Sequence, residues 1–488
     1  MVAPLQLGAL NYTLSPAKLA IKNITSAYTV VANDNGFVIR TISGTGAVTL
    51  PNCASVGEGF WIIFTNSTTS QVSVSTGTGN TLSDGSTAIS VERGQSVELA
   101  VTNSSSAGVW QIVSNGICGS AANSIAIGGN AYGGGAASIA VGQSADALGS
   151  NCIALGASTS AGTNYSVAIG QNSGSTASTT ATGAGAMALG GSYASGADSF
   201  AAAVANNTST YGAQGANSVA IGKQAKATGG SDMALGQDNA GVGSVASGSG
   251  SLAMQGGAAS GVLSIAIGRG NVASSTSSLA LGRGSAGGAS TASTSQGTVA
   301  IAGGTATGTD SLAIGLSCTA SATGAVALGN NATAGQIGKF AFSNSIFAGT
   351  GDAQTGTMVL RGATTNATPL VITSDAAAAG AANQVTLSNN QAMAVRGQVI
   401  CRESVAGADA AAGWEFTGII RRGANAASTA LVAAITPTLI ATDAGLATAA
   451  IAITADTTNG CLKVEVTGIA ATNLRWVCTV TSTECVYA

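Results

Sequence analysis

A five-residue phrase, x-apolar-Ala-apolar-Gly, recurs fourteen times between residues 124 and 329 and constrains the fold more than any other feature. Eleven copies are complete and begin at residues 124, 138, 152, 166, 186, 218, 232, 264, 278, 311 and 325. Three copies, beginning at residues 199, 251 and 298, lack the closing glycine. A repeat this regular predicts a solenoid, in which each coil packs on its neighbours.

The spacing of the copies sets the size of one coil. Nine of the thirteen intervals between closing residues are 13 or 14 residues long, and four are 19 or 20. The longer intervals predict loops that leave the coil. Within one copy the two apolar residues lie two positions apart, which places them on one face of a short strand. The closing glycine predicts a turn with positive φ.

The alternation within each copy leads to an expectation about which face lies inside. We expect the apolar pair, such as Ile125 and Ile127, to fill the coil, and the small residues, such as Ser124 and Ala126, to form a smooth side that packs against other chains. Burial of two large side chains per coil does not offset the free-energy cost of ordering the backbone of that coil, which is roughly 1–2 kcal/mol per residue. The pattern therefore predicts several chains packed around one axis. The predicted repeat core comprises Ile125, Ile127, Gly128, Ile139, Val141, Gly142, Ile153, Leu155, Gly156, Val167, Ile169, Gly170, Val219, Ile221, Gly222, Ile265, Ile267 and Gly268.

The repeats resemble the head repeat of trimeric autotransporter adhesins, the YadA-like head. The match covers residues 119–335 and rests on phrase and period together. The resemblance implies a left-handed parallel β-roll of about 14 coils, assembled as a trimer. The N-terminus has no basic segment followed by a long apolar one, so we expect no ordinary secretion signal. The uncharged stretch 423–442 contains several polar residues and a proline, and we expect no membrane insertion.

Composition excludes several kinds of chemistry. Charged residues make up 7% of the chain, the net charge is −3, and there is no histidine. Without a basic cluster beyond Arg421-Arg422, nucleic-acid binding has no electrostatic support. None of the eight cysteines has C-x-x-C spacing, so we expect no metal and no cofactor. Buried free thiols are the main expectation, and a bridge among Cys461, Cys478 and Cys485 is the alternative.

Catalysis also finds little support in the sequence. Triads that use histidine are impossible. A glycosidase needs two carboxylates across a cleft, and the repeat zone offers only scattered ones. These are Asp146, Asp198, Asp232, Asp238 and Asp310. We therefore expect no enzyme, with a polysaccharide-cleaving tailspike as the alternative.

The four tryptophans divide the chain into zones, because two precede the repeats and two follow them. Residues 1–26 are interpreted as an N-terminal docking arm and 27–118 as a small all-β domain with seven short strands. Residues 119–335 form the shaft, and 336–488 a β-sandwich at the tip. The predicted class is thus an all-β trimeric fibre.

Both flanking zones resemble domains of bacteriophage tail-fibre proteins. In the first zone the similarity lies in the run from Tyr28-Thr-Val through Gly59-Phe-Trp-Ile to Val109-Trp-Gln-Ile. In the last it lies in Ile419-Ile-Arg-Arg-Gly-Ala and Asp456-Thr-Thr-Asn-Gly. The resemblance implies attachment to the virion through the N-terminus.

Four residues of the tip are candidates for receptor contact. Trp414 and Trp476 are candidates for stacking on a sugar, with core packing as the alternative. Arg421 and Arg422 are candidates for an anionic ligand, with a role at a strand end as the alternative.

The sequence as a whole favours a bacteriophage tail fibre, made in the host cytoplasm, that binds a host cell-surface glycan or protein. Other virion proteins are the expected partners of its N-terminus. The alternatives are a capsid-attached head fibre or decoration protein, and a trimeric bacterial surface adhesin.

Overall fold

The computed structural model describes residues 20–44, 47–68, 70–91, 95–105, 107–115, 121, 123–128, 131–170, 178–202, 210–238, 240–282, 290–292, 295–405 and 409–487. These residues are nearly all in strands and turns, which confirms the all-β class. They fall into two compact units, Met1–Asp198 and Ser199–Ala488. No helix among them is long and apolar enough to cross a membrane.

The first unit begins with a two-layer β domain. One sheet has the order Ile21–Ile24, Val38–Thr41, Trp61–Asn66, Ser96–Asn103, Val109–Asn115 and Thr81–Leu82. The other has the order Tyr28–Thr29, Val48–Thr49, Val72–Ser75 and Ala88–Val91. A 3-10 turn at Ala32–Asp34 and a helical turn at Cys53–Val56 connect strands. Trp110 is fully buried in the core and meets Phe60 edge to face at 5.8 Å.

Parallel coils follow in the same unit. Each coil has a long strand from the middle of the repeated phrase and a short strand several residues later. The long strands are Ile125–Ile127, Ile139–Val141, Ile153–Leu155, Val167–Ile169 and Met187–Leu189. The short strands are Tyr132–Gly133, Asp146–Ala147, Ser160–Ala161, Thr180–Ala181 and Tyr193–Ala194. Long strands pair in parallel with long strands in exact repeat register, so Ala140 lies beside Ala154.

The second unit begins with the same arrangement. Its long strands are Phe200–Ala202, Val219–Ile221, Met233–Leu235, Leu252–Met254, Ile265–Ile267, Leu279–Leu281, Val299–Ile301, Leu312–Ile314, Val326–Gly329 and Phe340–Ser343. Its short strands are Gly212–Ala213, Lys226–Ala227, Val245–Ala246, Ala258–Ala259, Val272–Ala273, Thr291–Ala292, Thr305–Ala306, Thr319–Ala320 and Thr333–Ala334. Two parallel sheets that close into coils make a parallel β-roll, as predicted. Its handedness stays a prediction.

Left-handed backbone recurs at three places in the coils: at the closing residue of the phrase, just before each copy and, in several coils, two residues after the closing glycine, as at Ser144. The closing glycine of the phrase has positive φ, for example 132° at Gly142, which confirms its predicted role. In two of the copies that lack the closing glycine, Gln255 and Ala302 occupy its position and have φ values of 50° and 58°. The residue just before each copy is also left-handed, including the bulky Tyr165 and Leu263, and this second turn was not predicted.

The four longer intervals all place their extra residues between a long strand and the next short strand. Three of these segments, 171–177, 203–209 and 283–289, lie outside the described residues. The fourth is a loop in which Gln237 and Gly243 form an antiparallel bridge. The Asp238 carboxylate accepts hydrogen bonds from the backbone N–H groups of Ala240 and Val242 at 2.9 and 2.7 Å. The predicted loop is confirmed at this coil.

The predicted faces of the strands are wrong, because the small residues lie inside the coils and the large apolar ones lie outside. The phrase alanines such as Ala140 and Ala220, and the short-strand alanines such as Ala147, are fully buried. The residues that were predicted to fill the coil but lie on its outside, all half-buried or exposed, are Ile125, Ile127, Ile139, Val141, Ile153, Leu155, Val167, Ile169, Val219, Ile221, Ile265 and Ile267.

The thinness of the coil explains the inversion. A Cβ added at Gly257, next to a short strand, would lie 2.3 Å from the carbonyl oxygen of Ala266 in a long strand. A Cβ at Gly304 would lie 2.4 Å from the carbonyl oxygen of Ala313. The two sheets are therefore close enough that only alanine, serine and similar small residues fit between them.

A β-sandwich ends the second unit. Its large sheet has the order Ala353–Thr364, Leu474–Val486, Gln391–Glu403 and Ala411–Arg422, and the last of these strands also pairs with Ala430–Leu431 and Thr438–Thr442. In the small sheet Cys461–Thr467 pairs with Pro369–Val371, Val385–Thr386 and Ala450–Asp456. Two 3-10 turns, Ala426–Ser428 and Ala444–Leu446, lie in connections. One core lies between the sheets, with Leu360 from the large one and Val464 from the small one.

A fifteenth copy of the phrase joins the roll to the sandwich. Lys339-Phe-Ala-Phe-Ser343 lies 14 residues after the fourteenth copy and has serine in place of the closing glycine. Its strand pairs in parallel with Val326–Gly329 and antiparallel with Ala353–Thr364. This coil was not predicted, although the 14-residue period extends to it.

Candidate functional site

The outward positions of the long strands form a continuous apolar surface in each unit, here called the ridge. In the first unit its members are Ile125, Ile139, Ile153, Val167, Met187, Ile127, Val141, Leu155, Ile169 and Leu189. In the second they are Phe200, Val219, Met233, Leu252, Ile265, Leu279, Val299, Leu312, Val326, Phe340, Ala202, Ile221, Leu235, Met254, Ile267, Leu281, Ile301, Ile314, Leu328 and Phe342. Ile127 is 45% exposed and Ile221 38% exposed. No ridge position carries a charge or a hydrogen-bonding side chain.

The outer face of the short-strand sheet differs from the ridge. Its outward positions include Asp146, Ser160, Lys226, Thr305 and Thr319. Each roll segment is therefore amphipathic, with one apolar and one largely polar side. Because parallel sheets are normally covered on both faces, the ridge is a sheet face that a single chain leaves uncovered.

The ridge ends where the roll meets the sandwich. Phe340 and Phe342, which are 38% and 47% exposed, pair with Thr357 and Thr355 of the next strand. From these threonines onward, the same face of the sheet carries hydroxyl and guanidinium groups instead of an unbroken apolar surface. The chemistry of the surface thus changes at this junction.

Trp414 and Trp476 do not form a sugar-binding platform. Both side chains are buried, and their rings stack on each other with centroids 5.7 Å apart. The Trp476 indole N–H donates to Thr364 Oγ1 at 2.9 Å. The receptor-contact hypothesis for these two residues is therefore wrong, because both rings lie between the sheets of the sandwich.

Arg421 and Arg422 lie on opposite faces of one strand and have different surroundings. Arg422 donates from Nη1 to the backbone carbonyl of Leu387 at 2.6 Å, which is the strand-end role given as its alternative. Arg421 is exposed on the outer face of the large sheet. Of the pair, Arg421 is the one that an external ligand can reach, and its role in binding stays a prediction.

The described cysteines are free thiols. Six are buried, namely Cys53, Cys152, Cys318, Cys401, Cys461 and Cys478, and Cys485 is exposed. Burial raises the pKa of Cys478 to about 12 and that of Cys461 to about 11. Cys461, Cys478 and Cys485 are all free, so the alternative of a disulfide among them is wrong. Cys118 lies outside the described residues.

Carboxylates of the roll hold the backbone or form an ion pair. Asp232 is buried and accepts hydrogen bonds from the N–H groups of Gly229 and Ser251 at 2.6 and 2.9 Å. Asp238 lies 3.1 Å from Arg269 Nε. Among the described residues, no group of three or more histidines, cysteines and carboxylates is arranged to hold a metal ion.

Comparison with protein families identifies the roll. Four segments, 147–173, 213–239, 259–285 and 306–332, match the YadA head domain repeat in its two-copy form. All four lie within the predicted shaft, and each contains long strands that contribute to the ridge. No curated protein matches the chain. The chain therefore carries YadA head repeats, as the repeated phrase predicted.

Proposed function

We propose that this protein is a homotrimeric bacteriophage tail fibre that attaches to the virion through its N-terminal region and binds the host cell surface with its C-terminal sandwich. The observation that carries the proposal is the ridge, because an uncovered apolar face along a parallel roll needs a partner of equal length and shape. A second and a third copy of the same chain are such partners.

The composition of the coil supports assembly. Its interior is built mainly of alanine and serine, so a single coil buries little apolar surface. The free energy gained from that burial is small compared with the cost of ordering the backbone of the coil. Packing of ridge against ridge adds the large side chains that the interior lacks. Head repeats of the YadA type build trimers, which favours three copies.

The zones on either side of the roll give the fibre its direction. Their resemblance to phage tail-fibre domains supports a virion component with the N-terminus toward the particle. Three sandwiches per fibre, and several fibres per particle, convert weak contacts with a cell-surface glycan or protein into firm adhesion. The proposed role is binding without catalytic turnover, with no cofactor, no nucleic acid and no membrane insertion.

A trimeric adhesin on a bacterial surface is the second candidate, and the YadA head repeats themselves favour it. It shares the trimer and the adhesive role with the first candidate, and differs in the particle that carries the protein.

Electron microscopy of purified virions labelled with an antibody against residues 336–488 tests the proposal. Label clustered at the distal ends of tail fibres is expected. Label spread over the capsid would assign the protein to a head fibre. Absence of label from virions, together with label on bacterial cells, would support the adhesin.

A further inference from the structure

The outer face of the large sheet of the sandwich is strongly basic, in contrast to the rest of this weakly charged chain. Its outward positions carry five exposed arginines and one carboxylate, that of Glu415. These arginines, here called the arginine face, are Arg361, Arg396, Arg402, Arg421 and Arg475. None of the five takes part in the ion pairs found among the described residues. Arg361 donates from Nη2 to the backbone carbonyl of Asp375 at 3.5 Å. A basic surface with so few counter-charges attracts anions.

Strand register concentrates the charge at one end of the face. Arg402 lies directly opposite Arg475 on the neighbouring antiparallel strand. Arg361 lies opposite Val477, one diagonal step from Arg475. Like charges directly opposed across a sheet destabilise it, and a bound anion would offset that repulsion. Carboxylates and phosphates also match the planar fork of the guanidinium group.

A hollow of about 460 Å³ lies beside this cluster, because its lining residues Val477 and Ala411 are opposite Arg361 and Arg402 in the register of the sheet. Its apolar lining includes Ile400, Ile440 and Val477, and Gln398 and Thr479 add an amide and a hydroxyl. Ile400 and Ile440 are 55% and 57% exposed. An apolar floor with polar groups beside it matches a sugar ring, which has an apolar C–H face and polar edges.

Gly413 accounts for the open space in the hollow. It lies between Ile400 and Ala441 in the register of the sheet. A Cβ built there would find only the carbonyl oxygen of Val399 within 4 Å, at 3.5 Å. A larger residue at this position would enter the hollow without disturbing the packing below, which provides a means to block the site.

We propose that the arginine face binds an anionic polysaccharide of the cell surface, with one sugar in the Gly413 hollow and its acidic group against Arg402 and Arg475. The inference rests on the proposed adhesive function and names its ligand class. A second copy docked through the same face would bring two sets of five guanidinium groups together, so charge favours an anionic partner over self-association here.

Binding of the full-length chain to immobilised polygalacturonate, hyaluronate and polyribitol phosphate tests the proposal, with dextran as the uncharged reference. We expect binding to at least one of the anionic polymers, no binding to dextran, and weakening as salt rises. The double variant Arg402→Gln/Arg475→Gln and the blocking variant Gly413→Val should each lose at least tenfold in affinity. The control Lys223→Gln/Lys226→Gln removes two charges from the roll and should bind as the wild type does.

Failure of this inference is separable from failure of the fibre assignment. Wild-type binding to none of the three anionic polymers, or equal binding by the arginine double variant, would overturn the anionic-ligand site, whereas virion labelling would still support the fibre. A changed oligomeric state in the double variant would overturn it as well, since the face would then contact another copy. The melting temperature of the double variant should equal or exceed that of the wild type, because the repulsion between Arg402 and Arg475 is gone.

Discussion

Lys339 Nζ lies 2.8 Å from Glu484 Oε1, and both side chains are buried. Lys339 directly precedes the last long strand of the roll, and Glu484 is in the last strand of the sandwich, so the pair joins the two across 145 positions of sequence. Gln354 donates to the same carboxylate at 2.7 Å, and Ser482 donates at 2.7 Å. The Glu484 carboxylate therefore has the partners that a buried charge requires.

The Lys339→Met variant should lower the free energy of unfolding by about 3–5 kcal/mol, because it leaves the Glu484 carboxylate buried without its counter-charge. The double variant Lys339→Met/Glu484→Gln should regain much of the loss. Denaturant unfolding measures both. The pair Lys463–Glu465, at 3.1 Å and partly exposed, supplies the control: Lys463→Met should cost less than about 1 kcal/mol. Equal losses in the two single variants would contradict the buried pair.

A charge on the ridge should weaken assembly. Ile267→Lys places one ammonium group per chain on the surface that we propose to be buried between copies, at a cost of several kcal/mol. We expect a lower melting temperature of the oligomer, measured by circular dichroism, together with dissociation to single chains. Thr305→Lys, on the polar side of the roll, should leave both unchanged. An identical response of the two variants would argue against ridge burial.

Replacement of a leucine whose backbone has the left-handed conformation should stabilise the roll. Leu263 has a φ of 55° and is 62% exposed, so its backbone is strained while its side chain packs little. The equivalent residue of another coil is Asn217, with a φ of 56°. Leu263→Asn should raise the free energy of unfolding by about 1 kcal/mol, and Asn217→Leu should lower it by a similar amount. Thermal unfolding of the two variants measures the difference, and a loss of stability in Leu263→Asn would contradict the strain.

The buried thiols predict an alkaline loss of stability. Their pKa is raised in the folded chain, to about 12 at Cys478 and about 11 at Cys401, so the unfolded chain loses these protons first as pH rises. Stability is full below the unfolded thiol pKa, near 8.5, and is lost as pH rises toward the folded values. Urea midpoints between pH 8 and pH 10.5 should fall less steeply for Cys478→Ala than for the wild type. Identical slopes would show that Cys478 does not contribute.

The sequence predicted the coil, its period and its closing turn, since phrase and spacing depend only on local geometry. It did not predict which face lies inside, because alternation in Ile139-Ala-Val assigns residues to two faces without saying which is covered. The second alanine found in nearly every coil, such as Ala147 seven positions after Ala140, was a usable signal for a thin interior.

The arginine face could not be predicted from the chain. Arg402 and Arg475 are far apart in sequence, and only the register of their two strands places them opposite each other. Likewise, the buried state of Trp414 and Trp476 depends on the small sheet that covers them, which alternation within their own strands does not reveal.

The mass of the purified full-length protein in solution, measured by light scattering during size-exclusion chromatography at micromolar concentration, tests the central claim most directly. If the ridge is buried between copies of the chain, the mass will be three times the chain mass of 46.4 kDa. A particle of 46.4 kDa that stays folded and soluble would contradict the account, since the ridge would then face water.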